Sequence, residues 1–444
     1  MPNVKRLFGT DGVRGVANRD LTPDLALALG RAAGQVIVAG GEVVVGRDTR
    51  VSGPMLEAAL VAGLCSSGAH VLIAGILPTP GVAYLTVDEK ARAGAVISAS
   101  HNPVPDNGIK FFSEEGLKIA GKIEEAIERA LEEPPSELPT GVDVGRAEQL
   151  RDAAGRYGDH LLKSIGGDIK GLRVVLDCAY GATYAIAPRV FREAGADVTV
   201  INAEPDGTRI NVDCGSTNLR PLTEKVLSAG ADLGLAFDGD GDRVLAVDER
   251  GEEVDGDRIL AMNAIRLHDD GALKNDVVVV TVMANLGFRR ALIERGIEIV
   301  TAPVGDKFVA QAMAEMGAVL GGEQSGHVIF AQHSTTGDGI LTGLQVCATL
   351  AASNAPASVL AHVFEPFPQV LINVPVRSRE ELEGAEELWA EVKTVEESLG
   401  EHGRVLLRAS GTEPLVRVMV EDEDEKVARS TAESLAATVK RLLA

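Results

Sequence analysis

Cysteine is scarce in this chain: Cys65, Cys178, Cys214 and Cys347 stand far apart among 444 residues, with no CxxC pair. That spacing indicates neither a zinc site nor a disulfide framework, and it suits a reducing interior. Basic residues are outnumbered, 43 Lys and Arg against 65 Asp and Glu, for a formal charge of −22. Nucleic-acid binding depends on neutralising phosphates with Lys and Arg, so the balance argues against a nucleic-acid partner. It does not argue against a small anion. At cell-like salt the Debye length is about 8 Å, so a local Arg/Lys cluster decides whether a phosphate binds. The opening "MPNVKRLFGTDGVRG" contains no apolar h-region, and Arg or Asp interrupts the apolar stretches before they reach membrane-spanning length. The expectation is a cytoplasmic protein with no membrane partner.

What is present is a globular composition, 45% hydrophobic and 24% charged, with 49 glycines. A valine-rich strand, a polar turn and a helical pattern recur three times, in "GEVVVGRDTR", "LRVVLDCAYG" and "NDVVVVTVMANLG". Each helix stops at glycine and a new strand follows, as in "SGAHVLIAG". Continuous apolar runs suit strands covered on both faces, and strand–helix–strand alternation implies a mainly parallel sheet. Ser52 and Thr22 are placed to cap helices that Pro54 and Pro23 open, and Gly68 to end one. After residue 368 the pattern changes to strand, Glu-rich helix, two strands around a turn and a final amphipathic helix, with "EDEDE" (421–425) read as a solvated helix start. The predicted fold is therefore three similar α/β domains with mainly parallel mixed sheets and a smaller C-terminal α+β domain, bounded at 1–150, 151–254, 255–367 and 368–444. The first boundary follows the proline-rich "EEPPSELPTG".

Four segments carry chemistry. In "LGLAFDGDGDRVLAVDERG" Asp238, Asp240 and Asp242 alternate with glycine directly after an apolar strand. Repelling carboxylates in such a row suit oxygen ligands converging on a hard cation. A calcium EF-hand fails at its sixth position, where Arg243 replaces glycine; an acidic turn in water is the simpler alternative. Mg²⁺ takes few carboxylates and completes its shell with water and phosphate oxygens, so the loop asks for a phosphate nearby. In "ISASHNP" (97–103) Ser100 lies past the end of a probable strand, where α/β sheets place ligands. A phosphorylated Ser100 would supply the missing oxygens; otherwise its hydroxyl only satisfies a turn. Strand alternation makes His101 a doubtful partner for it. "LGGEQSGHVIF" presents Glu323, Ser325 and His327, suited to sugar hydroxyls. "RASGTEPLVR" sets Arg408, Ser410, Gly411, Thr412 and Arg417 around a turn suited to phosphate oxygens.

Taken in order over nearly the whole chain, "FGTDGVRG", "ISASHNPVPDNGIKFFS", "DGDGDR", "GEQSGH" and "RASGTEP" resemble the α-D-phosphohexomutase superfamily. The resemblance implies that Ser100 is phosphorylated and gives its phosphoryl group to a sugar, and that this phosphate with Asp238, Asp240 and Asp242 holds one Mg²⁺. It implies that His101, Lys110 and Arg243 flank the transferring group, with Thr10 and Arg14 on the same floor. Glu323, Ser325 and His327 would meet the sugar, Lys307 of "PVGDKFV" would orient it, and Arg408, Ser410, Gly411, Thr412 and Arg417 would hold the other phosphate. The wording "DNGIKFF" and "GEQSGHVI" points to an amino-sugar substrate, glucosamine 6-phosphate going to glucosamine 1-phosphate, with a hexosamine 1,6-bisphosphate as activator and the UDP-N-acetylglucosamine pathway downstream. Mannose and glucose mutases of the same superfamily share the serine and the metal loop and are the alternative. The partner expected is a small sugar phosphate, with room for a homodimer.

Overall fold

The computed structural model describes residues 7–9, 11–133, 137–353, 355–378, 380–410 and 414–444. Thr10, Gly411 and Thr412, and residues 134–136 of the proline-rich segment, lie outside them. Contacts divide the chain into two compact units, one running to Met283 and including Ile297–Val363, the other holding Ala284–Gly296 and Phe364–Ala444.

The first unit contains three sheets. Strands β1 (Val13–Val16), β2 (Glu42–Arg47), β3 (His70–Ile76), β4 (Ala93–Ile97), β5 (Asp106–Ser113) and β6 (Ala147–Gln149) form one in the order β1-β5-β4-β2-β3-β6. There β2, β3, β4 and β6 run parallel, while β5 is antiparallel to β4 and β1. The second comprises β7 (Arg173–Asp177), β8 (Asp197–Ile201), β9 (Leu233–Phe237), β10 (Val244–Asp248) and β11 (Glu253–Val254), ordered β11-β10-β9-β7-β8. The third has β12 (Val277–Thr281), β13 (Glu298–Ala302), β14 (Leu320–Gly322) and β15 (Val328–Phe330), ordered β13-β12-β14-β15. All three share one plan, in which a parallel strand turns back into an antiparallel one at β4–β5, β9–β10 and β14–β15.

The apolar runs explain the layering. Every residue of β4, β9 and β12 is buried, as strands covered on both faces require. Each fully buried valine or leucine contributes about 1.5–3 kcal/mol. Thr22 caps the helix Pro23–Ala33 as expected, its Oγ1 accepting from Leu25 N at 3.2 Å. Ser52 does not cap Gly53–Ser66: its backbone is already helical (φ −74°, ψ −13°) rather than extended, and its Oγ accepts instead from Asn107 Nδ2 at 2.9 Å.

The second unit carries β16 (Gln369–Pro375), β17 (Gly403–Ala409) and β18 (Leu415–Asp422), an antiparallel sheet ordered β16-β18-β17. Helices Glu386–Leu399 and Glu425–Leu443 pack on it around Val416, Val418, Val420, Leu435 and Val439. The acidic run is a helix start only in part. Asp424 accepts from Lys426 N, but Glu421 is fully buried at the end of β18 and accepts from Leu286 N and Arg404 Nε. The strand register aims that carboxylate inward, so it is a buried partner and not a solvated charge.

Candidate active site

The turn after β4 holds Ser100 in the left-handed region, at φ 52°. For a residue other than glycine this conformation costs on the order of 1 kcal/mol or more and persists only where the surroundings impose it. Here they do. Ser100 N donates to Ser98 Oγ (2.9 Å), and Ser98 Oγ donates to Asp48 Oδ2 (2.5 Å). Arg50, with no exposed surface, donates from Nε to Asp48 Oδ2 (3.0 Å) and from its two terminal nitrogens to the carbonyls of Ser100, Asn102, Pro103 and Asp106 at 2.6–3.0 Å. Asn211 Nδ2 adds a bond to Ser100 O at 2.9 Å. Burial pushes the Asp48 carboxyl up, and Arg50 beside it pulls the other way. Sequence reasoning missed Asp48, Arg50 and Asn211; the available signal was two charged residues directly after a buried strand, in "GRDTR".

The loop after β9 meets this turn. Ser100 Oγ donates to Asp238 Oδ2 at 2.5 Å. His101 is closer than strand alternation suggests, Nδ1 lying 3.2 Å from Oγ, because β4 ends at Ile97 and both residues sit in a turn. Gly239 lets the loops touch: a Cβ there would stand 2.6 Å from Ser100 O. Asp238, Asp240 and Asp242 are buried, with one oxygen of each within 4.8 Å of the others. Burial, then the charges of Asp242 and Asp240, push the Asp238 carboxyl well up. Burial works against Asp240 too, but Lys110 Nζ at 2.9 Å and Thr79 Oγ1 at 2.5 Å outweigh it and hold that carboxyl down. Lys110, buried itself, also faces Asp11 (3.1 Å) and Asp242 (3.7 Å), and these acids keep it an ammonium.

Asp240 Oδ1 and Asp242 Oδ1 are buried and accept no hydrogen bond among the described residues. Three crowded carboxylates beside one hydroxyl form an all-oxygen donor set, and the residues present fit a hard divalent cation. Arg243 borders it, its backbone N–H donating to Asp238 Oδ1 (3.3 Å) and its Nε 3.8 Å from Asp242 Oδ1. Burial, with Arg243 and Arg14 nearby, pushes His101 down to about 4.

Arg14 pairs with Asp11 and donates to Asn102 Oδ1 at 3.2 Å. Asp11 and Asp306 share the half-buried Lys118 between them, and Asp306 Oδ2 stands 3.6 Å from His327 Nε2. Gly337 N–H donates to that nitrogen at 3.2 Å. Glu323 Oε1 accepts from Gly305 N at 3.3 Å, joining the loop after β14 to the segment containing Lys307. Lys307 lines a small cleft with Asp11, Lys110 and Lys118. Ser325 is exposed. Thus Arg14, Ser100, His101, Lys110, the three aspartates and Arg243 come together, and Lys307, Glu323 and His327 join them through Asp306, Lys118 and Asp11. Those last three and Thr79 were not singled out from the sequence, because each meets a partner more than a hundred residues away in the chain.

In the second unit Arg408 and Arg417 face each other across the β17–β18 ladder. Burial and then Arg417 lower the pKa of Arg408. Like charges directly opposite are destabilising, which an anion relieves. Ser410 is buried beside them, its N–H donating to Leu415 O at 2.8 Å.

Family models of phosphoglucomutase/phosphomannomutase match the chain in four pieces: alpha/beta/alpha domain I at residues 5–137, domain II at 156–251, domain III at 255–367 and the C-terminal domain at 371–438. The phosphoglucosamine mutase of Frankia alni is 52% identical over 99% of both chains, and that of Moorella thermoacetica 50% identical over 98% of this chain and 99% of its own. A phosphoglucomutase/phosphomannomutase family protein from Burkholderia thailandensis superposes with a TM-score of 0.84 at 26% identity, covering 98% of this chain and 97% of that one. The Aspergillus fumigatus N-acetylphosphoglucosamine mutase, solved with GlcNAc-6P and magnesium, shares the fold with a TM-score of 0.70 at 18% identity over 99% of this chain and 96% of that one. By sequence over its full described length and by the plan of its sheets, the chain belongs to the phosphoglucosamine mutases of the phosphoglucomutase/phosphomannomutase family.

Proposed function

We propose that this chain interconverts glucosamine 6-phosphate and glucosamine 1-phosphate through a phosphoserine at position 100. One observation carries the reading: the strained Ser100 presents Oγ to Asp238 at 2.5 Å, inside a cluster of three buried carboxylates. A serine that only stabilised a turn would have no need of that company.

In the forward direction the substrate O1 attacks the phosphorus on Ser100. The P–O1 bond forms, the P–Oγ bond breaks, and the O1 proton passes by way of a general base to the departing Oγ. His101, with Nδ1 3.2 Å from Oγ, Lys110 and His327 are the candidates for that base. The 1,6-bisphosphate then turns over, Ser100 Oγ takes the phosphoryl from O6, and O6 regains a proton. One Mg²⁺, held by the Ser100 phosphate with Asp238, Asp240 and Asp242, would neutralise charge on the transferring group. Lys110 and Arg243 balance the same charge from the protein side, so catalysis is positioning plus electrostatics. Thr10 and Arg14 complete the floor. Glu323, Ser325 and His327, with Lys307, orient the sugar. Arg408, Ser410, Gly411, Thr412 and Arg417 bind the phosphate that is not reacting. Trace hexosamine 1,6-bisphosphate reloads enzyme that has lost its phosphate. The four free cysteines suit a cytoplasmic enzyme. Self-pairing into a dimer is read by sedimentation.

A coupled isomerisation assay tests the reading with Mg²⁺, trace bisphosphate, and glucosamine, glucose and mannose 6-phosphates side by side. Glucosamine should be preferred, and Ser100→Ala should abolish turnover. Peptide mass mapping should find phosphate on Ser100. A preference for mannose or glucose overturns the substrate; activity surviving in Ser100→Ala overturns the mechanism.

A further inference from the structure

Far along β10 from the aspartate loop, the hairpin to β11 meets the helix Ala357–Leu360. Asp248 at the end of β10 is fully buried. Its Oδ1 accepts from the N–H groups of Arg250 and Glu252, both at 2.9 Å, and so shapes the turn. Its Oδ2 is buried as well and has no hydrogen-bond partner among the described residues. Leaving a buried carboxylate oxygen unsatisfied costs about 1–3 kcal/mol or more. Something is expected to meet it.

Two further groups come close to this carboxylate. His362 Nε2 lies 3.1 Å from Glu252 Oε2, and one ligand atom each of Asp248, Glu252 and His362 fall within 4.8 Å of one another. The imidazole is oriented from behind: Nδ1 stands 2.6 Å from the carbonyl of Ser358 and can only donate to it. With Nδ1 committed to that carbonyl, Nε2 is the ring nitrogen left facing the carboxylate of Glu252, which is how metal-ligating histidines are set. The carbonyl is itself fixed, because Glu249 accepts from Ser358 N at 3.0 Å and from Ser358 Oγ. Glu252 is 62% exposed at its side chain and free to adjust, whereas Asp248 and His362 are held.

We propose that Asp248, Glu252 and His362 form a second divalent-metal site, separate from the aspartate triad and selective for a borderline transition ion of the Zn²⁺ class. One imidazole and two carboxylates suit such an ion better than Mg²⁺, which prefers oxygen alone. Four-coordinate zinc ligands at about 2.0–2.2 Å from the ion stand roughly 3.3 Å apart, so the exposed Glu252 has only to swing inward. Water takes the remaining position on the open side. The ion supplies the partner that Asp248 Oδ2 lacks and staples the hairpin to the segment ending at Val363, where the first unit ends. Its role is structural: none of the three residues touches the Ser100 assembly.

The test uses the full chain, stripped with chelator and re-equilibrated in excess Mg²⁺ to fill the triad, then titrated with Co²⁺ and Zn²⁺. The expected result is one saturable equivalent, visible absorption of four-coordinate Co²⁺ that Zn²⁺ bleaches, and a raised melting temperature. His362→Gln, at the edge of the cluster, should weaken binding by at least about tenfold and lose the absorption, while its Mg²⁺-dependent isomerisation stays at the parent rate. A variant with Asp238 and Asp240 changed to Asn should keep the Co²⁺ bands. No saturable equivalent beyond the triad, or binding unchanged in His362→Gln, overturns the proposal. If His362 and Glu252 are only an ion pair, the first of these results is the one seen.

Discussion

Arg50 is the residue on which the donor turn depends. A guanidinium with no exposed surface is normally a liability, yet its three nitrogens meet five oxygens, Asp48 Oδ2 and four main-chain carbonyls of the Ser100 turn and its exit. Removing one partner of such a buried pair costs about 3–5 kcal/mol, because Asp48 and the carbonyls are left stranded. Arg50→Met should lower urea-denaturation stability by that order, and Arg50→Lys should recover part of it without recovering turnover, since an ammonium cannot span the fork. Equal turnover in Arg50→Lys and the parent would show that the turn holds itself. Lys110 is the electrostatic counterpart. It holds Asp240 ionised against burial, and Lys110→Met should cut kcat by about 10²–10³ with a far smaller change in KM. A loss confined to KM would assign it to substrate capture instead.

At the scale of elements, loops act in pairs, and Gly239 shows how closely. A methyl at that position would press on Ser100 O from 2.6 Å, with Asn211 Nδ2 at 2.9 Å on the same side. Gly239→Ala should therefore separate the serine turn from the aspartate loop, lowering activity at least tenfold while circular dichroism stays that of the parent. Full activity would mean the two loops need not touch. The elements themselves were legible in the sequence. Valine runs mark β2, β7 and β12, glycine-spaced aspartates mark the loop after β9, and the changed pattern after residue 368 marks the antiparallel unit. The candidate site was legible wherever one turn carries its own cluster of polar side chains, as with Ser100 and with Asp238, Asp240 and Asp242, which the structure brings together. It was not legible where side chains from distant segments meet: Thr79 on Asp240, or Lys118 between Asp11 and Asp306. Nothing local distinguishes such a threonine or lysine from a surface one. Ser52 failed for a related reason, since capping depends on a backbone angle that residue type alone does not fix.

For the whole molecule, burial of acids sets the response to pH and to metal. Asp338, which accepts from Tyr157 OH at 2.7 Å and Leu341 N at 2.9 Å, is pushed by burial up to about 6. A carboxyl raised in the folded state contributes stability that is full below its ordinary value near 3.9 and is lost as pH climbs through 6. Asp338→Asn removes this titration, so its stability relative to the parent should rise by up to about 3 kcal/mol between pH 4 and pH 7. A difference that stays flat with pH would locate the ionisation elsewhere. Chelation should act in the same sense: with no cation among Asp238, Asp240 and Asp242, the melting temperature should fall by a few degrees, and Mg²⁺ should restore it in a concentration-dependent way. The common plan of the three sheets has a wider consequence. Ser100, the aspartate loop and the loop of Glu323 each occupy the bend after the equivalent strand, at β4–β5, β9–β10 and β14–β15. One backbone turn, used three times, thus presents three different sets of side chains, and rewording a bend changes what it offers without disturbing the sheet that carries it.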